Sequence, residues 1–310
     1  MGCMRLAHFS DLHLPIPAPP AAGSLMNKRI LGYLSWTRTR RFRHRKEALE
    51  IMVADCRRRA PDFTAITGDL VNISHPDEIS AAAQWLAGNF DPRASALCPG
   101  NHDAYVAMPW AGGLGSFDAF MAGTRLHDKT DRPPSGPDDF PFVRIVGDVG
   151  LVFANSSPPT LPGLASGKLG KAQISRIAAE LESLGRAGRC RVLAIHHPVT
   201  EGAVPRRKAL DDQADLRAAL HDAGVELILH GHTHFPVWAE LETRDGARPV
   251  AGVGSASHPA ALKTYRPARY NLFEIGGNAT DGWRIDVETR ELDPAAGDVK
   301  TADRRTLLPT

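Results

Sequence analysis

Five short polar clusters, each directly behind an apolar run of strand length, constrain this chain more than any other feature of its sequence. They are Asp11-Leu12-His13, Gly68-Asp69, Gly100-Asn101-His102-Asp103, His196-His197-Pro198 and Gly231-His232-Thr233-His234. The runs that precede them, 5 to 10 (RLAHFS), 62 to 67 (DFTAIT), 95 to 98 (SALC), 191 to 195 (RVLAI) and 225 to 229 (VELIL), read as buried strands. Between them, 46 to 59 places Leu49, Met52, Val53 and Cys56 at three- and four-residue steps, and 171 to 185 does the same with Ile174, Ile177, Leu181 and Leu184. Those spacings predict amphipathic helices. Strand followed by helix, repeated, favours a largely parallel sheet covered by helices, with its functional surface at the carboxyl ends of the strands.

After Phe235 the texture changes to short segments, 236 to 243, 248 to 254, 269 to 275 and 283 to 289, which read as a second, mostly antiparallel sheet. The Pro- and Gly-rich stretch 131 to 141 reads as a surface loop, and the polar end 293 to 310 as a loose tail. Residues 1 to 292 are thus expected to form one domain, with an insertion at about 14 to 46.

The clusters supply carboxylate, imidazole and amide donors without thiolates, a set suited to manganese, iron or zinc. Alternate residues of an extended segment point the same way, so Asp11 with His13, and His232 with His234, are expected to approach one centre together. Asp69, behind the tight Gly68 turn, is placed to bridge two cations at the roughly 3.5 to 4 Å separation of two-metal hydrolysis. The four cysteines are scattered and fit neither a disulfide framework nor a thiolate zinc site.

Taken in order, D-x-H, G-D, G-N-H-D, H-H-P and G-H-T-H resemble the motif series of the calcineurin-like binuclear metallophosphoesterases. The resemblance implies an α/β fold, a four-layer α/β-β-α sandwich of two mixed sheets flanked by helices. It implies one metal held by Asp11, His13, Asp69 and His234 and a second held by Asp69, Asn101, His196 and His232. His102 resembles the family's general acid, with Asp103 placed to orient it, while His197 remains either a support or a substrate-facing residue. The implied reaction is phosphodiester hydrolysis by a hydroxide bridging the two metals. The text G-D-L-V-N and G-N-H-D departs from the protein serine/threonine phosphatases and favours the branch resembling cyclic-nucleotide and glycerophosphodiester phosphodiesterases.

Two alternatives stand beside it, a diphosphatase acting on a nucleotide-diphosphate lipid such as UDP-diacylglucosamine, and a non-catalytic scaffold of the same fold. The first arises from residues 14 to 46, which contain no Asp or Glu but carry eight Lys and Arg residues, among them Arg29 and Arg38 as candidate substrate contacts. Interleaved apolar residues make residues 25 to 45 a basic, amphipathic flap suited to peripheral contact with an anionic membrane. The formal charge of +2 is too small for general attraction to nucleic acid, and none is expected as a partner. No apolar run reaches the length of a membrane span, so the expected location is the cytoplasm, with contact at the inner membrane face. The remaining histidines, His8, His44, His75, His127, His221, His230 and His258, match no motif and are assigned structural or surface roles, His258 being the one placed to reach the site rim.

Overall fold

Strands buried on both faces organise the molecule, described by a computed structural model over residues 3–125, 130–263 and 265–309; His127 lies outside the described residues. In chain order the first elements are β1 (Met4–Phe9), α1 (Arg29–Ser35), α2 (Arg41–Arg43), α3 (Lys46–Arg59), β2 (Phe63–Ile66), α4 (Pro76–Asn89), β3 (Ser95–Leu97), α5 (Asp118–Met121), β4 (Thr124–Arg125) and β5 (Thr130–Asp131). The rest are β6 (Phe142–Val146), β7 (Val149–Phe153), α6 (Lys171–Arg186), β8 (Cys190–Ala194), α7 (Gln213–Ala223), β9 (Leu227–His230), β10 (Val237–Thr243), β11 (Gly246–Gly252), β12 (Arg269–Asn278), β13 (Gly282–Asp293) and β14 (Asp298–Leu308).

One sheet has the order β14-β13-β12-β1-β2-β3 and the other β10-β11-β9-β8-β7-β6-β4-β5. β1, β2 and β3 are mutually parallel, as are β7, β8, β9 and β11. Alternation along the second sheet shows how the layers form. Leu151, Phe153, Val192, Ala194, Leu227 and Leu229 join the core between the sheets, whereas Val152, Leu193 and Ile228 pack with Ile177, Leu181, Leu216 and Leu220 of α6 and α7. Leu49, Met52 and Val53 of α3 and Ile79 and Leu86 of α4 cover the first sheet from outside. The result is the expected four-layer α/β-β-α sandwich.

Two readings of the carboxyl-terminal third need correction. The segments after Phe235 do not make a sheet of their own. β10 and β11 extend the second sheet, with β11 parallel to β9, while β12 pairs antiparallel with β1 and carries β13 and β14 onto the first. The supposed tail 293 to 310 includes the eleven-residue strand β14, paired along β13. It is an edge strand with both faces largely in solvent, so its sequence lacks the apolar alternation by which strands are recognised. The β6–β7 hairpin was also not legible.

The loop 72–75 before α4 is built for precision. Glu78 is fully buried and accepts the backbone N–H groups of Asn72 (2.6 Å), Ile73 (3.0 Å) and His75 (3.3 Å), while Pro76 opens the helix. That fixes the Asn72 carbonyl, which in turn holds His102.

Candidate metal centre

All five clusters converge at the carboxyl edge of the two sheets, but not by extended geometry. Asp11 (φ 53°), His13 (φ 44°), Asp69 (φ 57°), His232 (φ 68°) and His234 (φ 61°) all have left-handed backbone. Asp and His tolerate that region better than most residues, and several such residues together mark a site where the surrounding structure sustains strain. The paired donors therefore converge because each adopts the same unusual turn, not because alternate strand residues share a face. Backbone bonds lock the first two clusters together, Asp11 N–H to Gly68 O and His13 N–H to Asp69 O, both 2.9 Å. Gly68 (φ 84°) lies so close to Gly100 that a Cβ would overlap its backbone, which accounts for glycine in both motifs.

Donor atoms of Asp11, His13, Asp69 and His234 lie within 4.8 Å of one another. Nε2 of His234 is 3.2 Å from Asp11 Oδ1 and 3.4 Å from His13 Nε2. On the other side, His196 Nε2 stands 3.2 Å from Asn101 Oδ1 and 3.2 Å from His232 Nδ1. Asp69 Oδ2 sits between the groups, 3.8 Å from His13 Nε2 and 3.5 Å from His196 Nε2. Among the described residues it is the one carboxylate within 4 Å of both the His13 and the His196 rings. His13 Nδ1 donates to Val71 O (3.1 Å) and His196 Nδ1 to Thr67 O (2.6 Å), so in both rings the inward Nε2 keeps its lone pair.

The fit to two cations is read from what these atoms lack. Asp11 Oδ1 is buried with no hydrogen-bond partner, and bare imidazole nitrogens face one another. Burial pushes the Asp11 carboxyl up to about 7 and the Asp69 carboxyl well above the usual range, there helped by the charge of Asp103. Burial also drives His13, His232 and His234 well below the normal imidazole value, into the neutral, ligating form. Positive charge at this point would relieve the carboxylates while leaving the imidazoles as they are.

His102 lines the cavity over the centre, a space of 340 Å³, with Nδ1 against Asn72 O at 2.6 Å. Nε2 is the nitrogen left free for chemistry. Asp103 does not orient it. Its carboxylate instead accepts four backbone N–H groups, those of Asp69 (2.8 Å), Leu70 (2.8 Å), Val71 (3.2 Å) and Gly100 (2.8 Å), and so ties the Asp69 turn to the Asn101 loop. His197 is likewise no substrate contact. It is fully buried, with Nδ1 on Ser156 Oγ (2.8 Å) and Nε2 on Ala165 O (3.2 Å), and its ring packs 4.5 Å from that of His232.

Of the two arginines expected to meet substrate, neither lines the cavity. Arg29 turns inward to Ile73 O (3.1 Å) and Ser74 O (2.7 Å), anchoring α1, and Arg38 is exposed. The insertion does stand over the centre, through other residues. Lys28, Arg40 and Arg43 line the cavity together with Arg207 and Lys208, which the sequence did not single out. Burial lowers the pKa of Arg40 and of Lys208, and takes Lys28, with help from Arg40, down to about 8.

His258 reaches the rim as expected, and His44, assigned a structural or surface role, packs 4.3 Å from the His13 ring, lines the cavity and bonds Ser257 Oγ at 2.8 Å. No spacing pattern marks His44, which lies among arginines. His8 bonds Thr67, His75 caps α4 and His221 pairs with Asp222 at the surface, all structural or surface roles.

A model of the calcineurin-like phosphoesterase family matches residues 4–236. Among solved structures, a dimetal phosphatase from the zebrafish Danio rerio superposes with a TM-score of 0.63 at 12% identity, covering 98% of each chain. A purple acid phosphatase from yellow lupin (Lupinus luteus) seeds gives 0.59 at 13% identity, over 98% of this chain and 53% of its own. At such identities the likeness establishes the fold. No curated protein sequence matches the chain.

Proposed function

Because the chain belongs to the calcineurin-like phosphoesterase family, we propose that it hydrolyses phosphodiester bonds at a pair of divalent ions. The observation that carries this reading is Asp69, whose Oδ2 lies within 4 Å of both His13 and His196 and so serves two ligand sets. Asp11, His13, Asp69 and His234 would hold one ion, and Asp69, Asn101, His196 and His232 the other. Bound there, two ions supply Lewis-acid stabilisation of the phosphoryl oxygens and an acidified water as nucleophile.

The protein's own residues do the rest. Arg40 and Lys208 place positive charge on the cavity wall and attract the anionic substrate. His102 delivers a proton to the leaving oxygen from Nε2. Burial and then Arg40 oppose the imidazolium, holding its pKa well below the usual value. A bound phosphoryl anion offsets both, so the proton is taken up with the substrate rather than before it.

A second reading, cleavage of the diphosphate in a nucleotide-diphosphate lipid, is favoured by the cation count. Lys28, Arg40, Arg43, Arg207 and Lys208 around one cavity exceed what the single charge of a diester calls for. The full donor set speaks against a purely non-catalytic scaffold. Purified protein with added manganese should be assayed on bis(p-nitrophenyl) phosphate, cyclic nucleotides, glycerophosphodiesters and a nucleotide-diphosphate lipid. Highest kcat/KM on a diester supports the first reading and on the diphosphate lipid the second, and no turnover of any would remove both.

A further inference from the structure

Nine large apolar side chains are exposed among the described residues, and eight of them lie on the insertion and on two loops that contribute residues to the lining of the metal cavity. Met26, Ile30, Leu31, Leu34 and Phe42 come from the insertion, Met26 being 86% exposed. Leu161 and Leu164 come from the loop beside Gly163, a cavity-lining residue, and this loop is tied to the insertion where Lys28 Nζ donates to Thr160 Oγ1 at 2.7 Å and Leu164 O at 3.2 Å. Leu262 stands with Phe42 on a separate apolar hollow of 220 Å³, which shares Arg43, His258 and Tyr265 with the metal cavity. Ile145, on β6, is the ninth.

These side chains are outward for a reason that local packing makes clear. The inner face of α1 is fully used: Arg29 is anchored on the 73–74 carbonyls, and Gly32 lies so close that a Cβ there would stand 2.6 Å from Ile73 Cγ2. Tyr33 and Trp36 pack against the Ile16, Ile73 and Tyr105 cluster. With that face committed, the rest of the helix is left apolar towards solvent, which a solvated cover would not need.

Within the insertion the charge has one sign. Residues 14 to 46 have no acidic side chain, and Arg38, Arg41, Arg206 and Arg207 are exposed beside the apolar groups. No helix among the described residues is long and apolar enough to cross a membrane. Apolar side chains fringed by arginine, on a short helix, match a surface that lies on an anionic bilayer and inserts to the depth of the headgroups.

We infer that this set of apolar and basic side chains docks the protein on an anionic lipid surface, with the metal cavity facing the bilayer, so that an amphiphilic phosphoester enters by its headgroup. The assignment deepens the proposed function and rests on it for the identity of the substrate, but docking is read without turnover. Flotation with vesicles of phosphatidylcholine alone, or of an equal mixture with phosphatidylglycerol, tests it. The wild-type chain should float with the mixed vesicles at low ionic strength and less so at raised salt. Leu31→Ser/Leu34→Ser/Phe42→Ser should weaken that partition by about tenfold or more.

Circular dichroism and a melting curve establish that the triple variant is folded. Arg38→Glu/Arg41→Glu, which reverses two exposed charges and takes the Arg41 guanidinium off the Phe42 ring, gives a second test and should also float less. A wild-type chain that stays out of the mixed vesicles, or variants that float as well as wild type, would overturn the inference. Equal flotation with neutral vesicles would overturn its electrostatic half. Hydrolysis of bis(p-nitrophenyl) phosphate by the same wild-type sample reports on the metal centre separately, so either can fail alone.

Discussion

Asp103 Oδ2 accepts the backbone N–H of Asp69 at 2.8 Å, and the same oxygen takes the N–H of Gly100 at the same distance. One carboxylate thus joins the turn that carries Asp69 to the loop that carries Asn101 and His102. Asp103→Ala would leave four buried amides without an acceptor and should destabilise the fold by about 3 kcal/mol or more. Urea unfolding beside metal analysis checks this, and metal content should fall with stability. An unchanged midpoint with full metal content would return Asp103 to a role in orienting His102.

His102→Ala should keep two metals and lose rate, whereas Asp69→Ala should lose metal as well as activity. The His102 loss should reach roughly a hundredfold to ten-thousandfold on alkyl phosphodiesters and be smaller on nitrophenyl esters, whose leaving group needs no proton. Equal loss on both substrates would count against leaving-group protonation.

Lys28 predicts a pH dependence in substrate binding. Burial and Arg40 bring its pKa down to about 8, so it is charged below that pH and neutral above it. Attraction for an anionic substrate is therefore present below pH 8 and fades above, and KM should rise through that range. Lys28→Met should show a high KM at both ends. Arg40→Gln, which stays uncharged throughout, should raise KM by about tenfold to a hundredfold, the worth of one charged hydrogen bond. A KM unaltered by Arg40→Gln would place the substrate elsewhere in the cavity.

Away from the site, Arg290 grips Asp55 with two bonds of 3.0 Å, and Tyr270 donates to the same carboxylate at 2.8 Å, tying α3 to β12 and β13. Burial raises the Asp55 pKa, but Arg290 and Tyr270 outweigh it and the net shift is downward. The stabilisation is therefore complete above the unfolded carboxyl value and lost as pH falls through the lower folded one. Asp55→Ala should cost about 1.5 to 3 kcal/mol at neutral pH, since Arg290 loses both bonds and Tyr270 its acceptor while Arg290 keeps Glu288 at 2.9 Å. Denaturation measured at neutral and strongly acidic pH should show that difference shrinking in acid.

The seven proposed ligands were legible as a converging set because a metal admits few side-chain types, and because each cluster follows an apolar strand that has to end at the same edge. What spacing misjudged was the backbone: left-handed torsions at Asp11 and His13 converge the donors as effectively as a strand would. Arg40 and Lys208 were illegible because one cation among many is selected only by how two remote loops fold over the cavity. Asp103 looked like an acid's companion in G-N-H-D, yet its partners are main-chain amides, which leave no mark in a sequence. β14 was hidden for the opposite reason, since an edge strand with few buried residues can be polar throughout.

The left-handed turns at five of the seven proposed ligands have a consequence for selectivity. Donors positioned by main-chain torsion cannot relax around an ill-sized ion as freely as donors on long rotatable stems. Discrimination among divalent cations should then fall to radius and preferred coordination more than to donor softness, with a mismatched ion admitted poorly rather than accommodated.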